Sequence, residues 1–228
     1  LVSAALMGWL IGEKMPEYAY RIGGLHKVMR PFNAAEFGDR IDYLLNLYDP
    51  EINYAQLNLL DSHDTPRFLT TAGGDESALR LAYLFIFTYI GAPCVYYGDE
   101  IGLDGGPDPE CRKSFPWEES RWNQELRTYM KDLIHLRNSH PALRRGSYKS
   151  ITSDQDVIAY LRQYEGETYL VVINAGSKER NQDIDITNAG ISTRAVKVLF
   201  GSCLATLGDN SLHMEHLLSR QGVVLKLG

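Results

Sequence analysis

The chain reads as an α/β region of the parallel-barrel type followed by an antiparallel β-sandwich. Three observations predict this. Two short apolar runs, Leu57–Leu60 and Cys94–Tyr97, alternate with two helix-patterned stretches in the strand, helix, strand, helix order of a parallel sheet. A loop rich in Gly, Pro and charge, Gly102 to Trp122, leaves the second run at the strand end where barrels carry active-site loops. After Gly146 the texture turns to short β-prone runs separated by turn signals. The boundary is therefore placed there, dividing the chain into 1–146 and 147–228.

The elements follow in order. Asn33 caps a helix whose N3 residue is Glu36, and Phe37, Ile41, Leu44, Leu45 and Tyr48 follow at helical spacing up to Asp49-Pro50. Leu57–Leu60 is the first strand. Gly73-Gly74-Asp75 punctuates the next loop, and a second helix starts near Glu76. From Leu79 to Ile90 it is apolar almost all round, so it must be covered on several sides. Gly91-Ala92-Pro93 breaks this helix, Cys94–Tyr97 forms a strand, and Gly98-Asp99-Glu100 turns the chain. A third helix carries Leu126, Tyr129, Met130, Leu133, Ile134 and Arg137 on one face and ends at Pro141.

Five runs then read as strands: Val157–Tyr164, Thr168–Asn174, Gln182–Ile186, Ala195–Phe200 and Gly222–Leu227, with turns at Glu165-Gly166 and Asn188-Ala189-Gly190. Alternation in Val196, Val198, Phe200 and in Val223, Leu225, Leu227 predicts one buried face per strand.

Composition narrows the class. With 228 residues and 44% apolar content the chain can bury a sizeable core. A formal charge of -6, from 29 acidic and 23 basic residues with no basic block, excludes nucleic acid and anionic membrane as expected partners. The longest apolar run is too short to span a bilayer, which needs about 20 residues. Cys94, Cys111 and Cys203 are odd in number and widely spaced, with no zinc pattern, so a reducing, cytoplasmic setting and no metal site are expected. Leu1 in place of an initiator Met is expected of a cut end.

The first strand runs into Ser62-His63-Asp64-Thr65-Pro66. A carboxylate at the end of a buried barrel strand points into the active-site face, while Asp before Thr-Pro equally makes an Asx turn that stops the strand. Both readings of Asp64 stay open on the residues alone. Glu13 follows an apolar helix-like run and reads as a solvated helix-end charge.

Four motifs in order, Leu60-Asp61-Ser62-His63-Asp64-Thr65, Gly91-Ala92-Pro93-Cys94-Val95-Tyr96-Tyr97-Gly98-Asp99-Glu100, Gly105-Gly106-Pro107-Asp108-Pro109-Glu110-Cys111-Arg112 and Pro116-Trp117, resemble the α-amylase family of glycoside hydrolases. Within it the neopullulanase, cyclomaltodextrinase and maltogenic amylase group is most similar. The resemblance implies a (β/α)8 TIM barrel followed by an antiparallel β-domain, with Asp61–Asp64 ending the seventh strand and Cys94–Glu100 the eighth. The chain would then hold the C-terminal part of the barrel, its last two strands and helices. A whole barrel needs about 250 residues.

The family cleaves α-1,4 and in some members α-1,6 glucosidic bonds by a retaining mechanism, which needs a nucleophile and an acid/base carboxyl about 5 to 5.5 Å apart. No Gly-x-Arg-x-Asp segment is present, and Glu13 and Glu17 lack the strand context of the acid, so the chain alone is expected to be inactive. By resemblance Asp64 is the third carboxylate, a transition-state stabiliser that bonds sugar hydroxyls, and His63 contacts the same sugar. Asp108 and Arg112 match positions that contact the glucan one or two units away, against a competing reading as a loop-stapling ion pair. Glu100 is expected to support the strand end, Tyr96 and Tyr97 to be barrel core, Trp117 and Trp122 to be loop aromatics able to stack on sugar, and Arg67 to have no assigned role.

No cofactor is expected to be required, and calcium, where family members hold it, belongs to parts outside this chain. The expected partners are α-glucan oligosaccharides such as cyclodextrins, pullulan and maltooligosaccharides. Open parallel edges and a partly bare Leu79–Ile90 helix also predict self-association, association with the missing barrel segment, or heavy reliance on the β-domain. Two other functions fit the same motifs: a non-catalytic amylase-like scaffold or glucan-binding module, and a sibling α-1,6-glucosidase or transglycosylase.

Overall fold

A computed structural model describes residues 1–21, 29–187, 195–208 and 211–228. The turn expected at Asn188-Ala189-Gly190 lies outside them. Helix α1 (Val2–Leu10) is apolar and buried along almost its whole length. Helix α2 (Ala34–Leu45) forms behind the expected capping box: the Asn33 side chain accepts from the Glu36 amide at 2.8 Å, and the Asn33 amide donates back to the Glu36 carboxylate at 3.0 Å. Tyr48 lies past its end and is exposed. Asp49 then caps a short helix α3 (Pro50–Ala55), so Pro50 opens a helix as well as closing one.

Strand β1 (Leu57–Leu59) is followed by α4 (Phe68–Thr71), α5 (Glu76–Thr88) and β2 (Ala92–Cys94). β1 and β2 are parallel, with Leu57 opposite Ala92 and Leu59 opposite Cys94. β2 therefore lies two residues upstream of the expected Cys94–Tyr97 and contains Pro93. The Ala92 amide donates to the Gln56 carbonyl at 2.8 Å, and successive strand amides point opposite ways. The N–H that Pro93 lacks would have faced away from β1, so the ladder loses nothing. Gly91 has φ of +94°, and a Cβ there would meet the Gln56 carbonyl oxygen and the Asn58 Nδ2 at 2.6 Å. That position must be glycine for β2 to start. Helices α6 (Gln124–Ser139) and α7 (Pro141–Arg145) complete this half.

Strand β3 (Ser147–Asp154) begins one residue after Gly146 and is followed by β4 (Val157–Tyr164), β5 (Glu167–Asn174), β6 (Arg180–Asp185), β7 (Val196–Phe200), β8 (Leu204–Leu207), β9 (Ser211–Leu217) and β10 (Gln221–Leu227). They build two antiparallel sheets, a five-stranded one in the order β3-β4-β5-β10-β7 and a three-stranded one in the order β6-β9-β8. β3 and β9 carry too much Ser, Thr, His and charge to read as strands in sequence, and β8 is only four residues long. β3 is an edge strand, and β9 buries only Leu212, Met214 and Leu217 while His213 and Glu215 stay on its outer side.

The five-stranded sheet is buried on both faces. Val157, Ala159, Leu161, Leu170, Val172, Val223 and Leu225 meet the small sheet through Ile184, Leu212 and Met214. Ile158, Tyr160, Tyr169, Val171, Ile173 and Val224 meet the helices instead. One buried face per strand is thus incorrect for β10, whose Val223, Val224 and Leu225 are all buried because both layers cover it.

Helix α5 is the centre of this arrangement. Trp9 stacks on Phe37 at 4.5 Å between ring centres, Phe37 meets Phe85 edge-on at 5.3 Å, and Phe85 meets Tyr160 of β4 at 5.6 Å. The helix expected to be partly bare is buried from Ala78 to Thr88 except at Arg80, because α1, α2, α6 and the five-stranded sheet close around it. On that side the cover comes from the inner face of the five-stranded sheet.

Two buried arginines gather the carbonyls at the end of α5, and one of them, Arg162, locks the two halves together. Arg137 of α6 donates to the carbonyls of Phe87, Tyr89 and Leu143 at 2.7 to 3.1 Å and to Gly91 at 2.5 Å. Arg162 of β4 donates to the carbonyls of Thr88, Leu143, Gly146 and Ser147. The α5 C-terminus, whose last carbonyls lack helical partners and carry partial negative charge, is thereby capped by two cations. Burial lowers both guanidinium pKa values to about 10, which still leaves both charged at neutral pH.

Arg162→Met keeps the aliphatic stem and removes the donors, leaving buried carbonyls unsatisfied at about 1–3 kcal/mol per group. A loss of at least about 3 kcal/mol in denaturant unfolding is expected; a loss below about 1 kcal/mol would contradict the locking role.

Candidate functional site

The site is built where β1 and β2 end. After Leu60 the chain enters a tight turn in which the Ser62 amide donates to Thr65 Oγ1 at 2.9 Å and the Asp64 amide to Ser62 Oγ at 3.2 Å. That turn lifts His63 and Asp64 into solvent, with side chains 64% and 67% exposed, and sets His63 Nε2 3.2 Å from Asp64 Oδ2. The strand stops here in a turn closed by the Ser62 and Thr65 hydroxyls, and the Asp64 carboxylate stands exposed at the strand end.

The loop after β2 supplies the opposite wall. Arg112 lies in a short 3-10 turn, and its Nε is 2.9 Å from Asp108 Oδ1 while Nη2 is 3.4 Å from Asp64 Oδ1. Its Nε also donates to the His63 carbonyl at 2.9 Å, as does the Cys111 thiol at 3.2 Å. All four residues singled out from sequence therefore converge, with Arg112 joining Asp64 to Asp108. The Asp108–Arg112 ion pair exists as the loop-stapling reading requires, and at about half exposure it adds little to stability. Two carboxylates, an imidazole and a guanidinium on one open surface suit a polyhydroxylated neutral ligand, which accepts and donates in many directions.

Beneath this surface sits a network that the sequence does not announce. Arg67, fully buried, donates from Nη1 to Asp99 Oδ1 at 2.9 Å and to the Tyr97 carbonyl at 2.6 Å, and from Nε to the Cys111 carbonyl at 3.1 Å. Its own amide donates to the Gly105 carbonyl at 2.9 Å. The rings of Tyr96 and Tyr97 lie 4.0 and 4.7 Å from the guanidinium carbon, so these tyrosines cover Arg67 from the half-exposed side and are not barrel core. Asp61, at the end of the strand, accepts from the Phe68 amide at 2.6 Å and starts α4. Tyr83 of α5 donates to Asp99.

The Arg67 side chain thus ties the exit of β2, at Tyr97 and Asp99, to the Cys111 carbonyl of the long loop, while its backbone amide holds Gly105. Burial pushes the Asp61 carboxyl up and Asp99 well up, and for Asp99 the nearby Asp61 adds to the effect. Glu100 accepts from the Gly98 amide at 2.7 Å, a turn-supporting bond in keeping with the structural role expected of it. Trp122 is anchored by its indole N–H to the Pro116 carbonyl at 2.6 Å, and Trp117, 82% exposed, meets Phe115 edge-on at 4.9 Å. Among the described residues no three His, Cys, Asp or Glu side chains converge to hold a metal ion, and no helix is long and apolar enough to cross a membrane.

Arg67 was the residue that sequence reasoning missed. Its partners Tyr97, Asp99 and Cys111 are 30 to 44 positions away, and only the apolar Phe68 beside it marks the segment as buried.

A cleft of about 450 Å³ lies along the side of β1 away from β2, lined by Leu1, Tyr48, Leu57, Leu59 and Asp61. It does not reach His63 or Asp64. Leu57 is 61% exposed there, so the open edge of this two-stranded sheet is apolar.

Comparison with known proteins matches residues 28–146 to the alpha amylase catalytic-domain model and residues 149–215 to the maltogenic amylase C-terminal-domain model. A cyclomaltodextrinase of Geobacillus thermopakistaniensis is 45% identical over 148 residues, covering 64% of this chain and 25% of that protein. Neopullulanase 2 of Thermoactinomyces vulgaris is 37% identical over 196 residues, covering 82% of this chain and 33% of its own length. Among solved structures, the native debranching enzyme of Nostoc punctiforme superposes with a TM-score of 0.88 at 33% identity, over 98% of this chain and 46% of that one. The chain spans about a quarter to a third of the curated relatives it matches.

Arg67→Met breaks a fully buried ion pair and leaves Asp99 without its cation, a change that costs about 3–5 kcal/mol. Denaturant unfolding should register that loss, and hydrogen exchange should quicken at Gly105–Arg112; a variant with unchanged midpoint and exchange would remove Arg67 from its place as hub.

Proposed function

We propose, from the premise that this chain belongs to the alpha-amylase family, that it is the C-terminal portion of a retaining glycoside hydrolase acting on α-1,4 or α-1,6 glucosidic bonds. Its substrates on this reading are cyclodextrins, pullulan or short maltooligosaccharides. The observation that carries the reading is the convergence of His63, Asp64, Asp108 and Arg112 at the ends of two parallel strands, on one open polar surface. Residues 1–146 are assigned to the barrel portion and 147–228 to the C-terminal β-domain, which buries α5 in place of further helices.

Asp64 would accept hydrogen bonds from the hydroxyls of the sugar being cleaved. Those bonds strengthen as the ring flattens and gains oxocarbenium character, so they lower the barrier more than they aid ground-state binding. His63 would donate to the same sugar, while Asp108 and Arg112 would hold the neighbouring unit. The nucleophile and the acid/base carboxyl would come from barrel strands that pack along the open edge of β1, where exposed Leu57 and Tyr48 favour cover by such a segment or by a second copy. The short chain alone would then bind glucan without hydrolysing it. Three free cysteines fit a cytoplasmic, reducing setting.

The test is a side-by-side assay of this chain and its full-length gene product on cyclodextrin, pullulan and starch. Hydrolysis by the long form alone is expected, with Asp64→Asn lowering kcat about 100- to 1000-fold. Hydrolysis by the short chain, or an Asp64→Asn enzyme with intact kcat, would overturn the assignment.

A further inference from the structure

Helix α6 and strand β7 face each other across a seam between the two halves that packing does not fill. The buried row of α6, Leu126, Met130, Leu133 and Leu136, points into the core. A neighbouring row, Gln124, Thr128, Asp132 and His135, lies three to four positions apart and so runs down one side of the helix in line. Beside it the end of β7 and the following Gly201 form a second wall. Two hollows result. One, of about 440 Å³, is lined by Gln124, Thr128 and Tyr129; the other, of about 480 Å³, is lined by His135, His140 and Phe200. Asp132 lines both, and the Tyr129 ring of the first meets the Phe200 ring of the second edge-on at 5.2 Å, so the two form one groove. From Gln124 to His140 it runs about 24 Å along the helix.

The walls of the groove are held in place. Tyr129 donates its hydroxyl to the Arg80 carbonyl at 2.9 Å, the Arg80 guanidinium lies 4.9 Å from the Tyr129 ring centre, and His140 Nδ1 is 3.0 Å from the Tyr169 hydroxyl. Tyr129 and Phe200 are only partly buried, so part of each ring remains accessible. Charge then selects the ligand. Arg80 is paired with Glu76 at 2.5 Å, Glu125 and Asp132 contribute carboxylates, and among the described residues no lysine lines either hollow. An anion is repelled there, and an acyl chain would desolvate the polar row without replacing its hydrogen bonds. No three His, Cys, Asp or Glu side chains converge on a metal position among the described residues. Two aromatic rings beside amide, hydroxyl, carboxylate and imidazole groups suit a neutral sugar chain, whose C–H faces lie on rings and whose hydroxyls both donate and accept.

We propose that this groove is a second glucan-binding site, separate from the His63–Arg112 surface, and that it seats a linear α-glucan lengthwise along α6. The ligand class rests on the glycosidase reading, while the groove itself does not. Gln124 at one end donates from Nε2 to the Glu119 carbonyl at 3.1 Å, which ties the mouth of the groove to the long loop that carries Asp108 and Arg112. A groove of this length is filled only by a chain of several sugars, so affinity there rises with chain length.

The experiment is a titration of the isotope-labelled chain with maltoheptaose, followed by backbone amide shifts and repeated with maltotriose and with inorganic phosphate. Maltoheptaose should give saturable shifts at Thr128, Asp132, His135 and Gly201, with a lower midpoint than maltotriose. A double variant, Asp132→Ala with His135→Ala, removes two exposed side chains and should weaken binding in the groove about tenfold, while the shifts at Asp64 and Arg112 keep their midpoint. Phe200→Leu keeps an apolar wall without the ring and should weaken the groove likewise; the double variant decides the matter if Phe200→Leu does not fold. Groove amides silent to maltoheptaose, groove shifts that the double variant leaves unchanged, or groove shifts with phosphate and none with maltoheptaose would overturn the site. Equal midpoints for maltotriose and maltoheptaose would overturn the lengthwise seating. Groove shifts with none at Ser62–Thr65 and Asp108–Arg112 would leave the groove standing and count against the glycosidase reading instead.

Discussion

The buried ion pair between Arg67 and Asp99 is the constraint from which the site hangs. A guanidinium with no solvent contact must find acceptors in fixed directions, and this one finds them on β2's exit, on the long loop and, through its own amide, on Gly105. The His63–Asp64 turn and the Asp108–Arg112 turn are both largely exposed and have little packing of their own. Their mutual placement is inherited from the rigid node below, which is the usual division between a preorganised base and a solvent-facing recognition surface.

The same logic of buried cations and carbonyls recurs at the other end of α5. Arg137 and Arg162 face no carboxylate among the described residues; they satisfy helix-end and loop carbonyls instead, and burial lowers the pKa of each without discharging it. Arg137 ties the end of α5 to α6 and α7, and Arg162 joins that same helix end to a sheet that is itself covered on its far side. The two-stranded sheet keeps an open edge at both β1 and β2, with Leu57 exposed on the first. The apolar surface of α5 that faces the sheet is covered by Ile158, Tyr160, Tyr169 and Ile173.

Much of this was legible in the residues. Asn33 and Glu36 announced the capping box of α2, the all-round apolar pattern of Leu79–Ile90 announced a helix covered on several sides, and the Glu165-Gly166 turn announced the β4–β5 hairpin. The four motifs brought His63, Asp64, Asp108 and Arg112 into one group, and they lie in one group. What was not legible depends on tertiary partners. Pro93 looked like a breaker because its tolerance in β2 depends on which side β1 lies. β3 and β9 looked like loops because an edge strand and a half-solvated strand need few apolar residues. Arg67 received no role from sequence because its burial is conferred by Tyr96, Tyr97 and a loop more than 30 positions away.

The central claim is that the ends of β1 and β2, held together by Arg67, form the sugar-recognising wall of a glucan site. The most direct measurement is a titration of the isotope-labelled chain with maltotriose, following backbone amide shifts residue by residue. The account predicts saturable shifts at His63, Asp64, Asp108 and Arg112, with the outer face of the β6-β9-β8 sheet silent. Saturable shifts confined to the β-sheets, or none at Ser62–Thr65 and Asp108–Arg112, would contradict it.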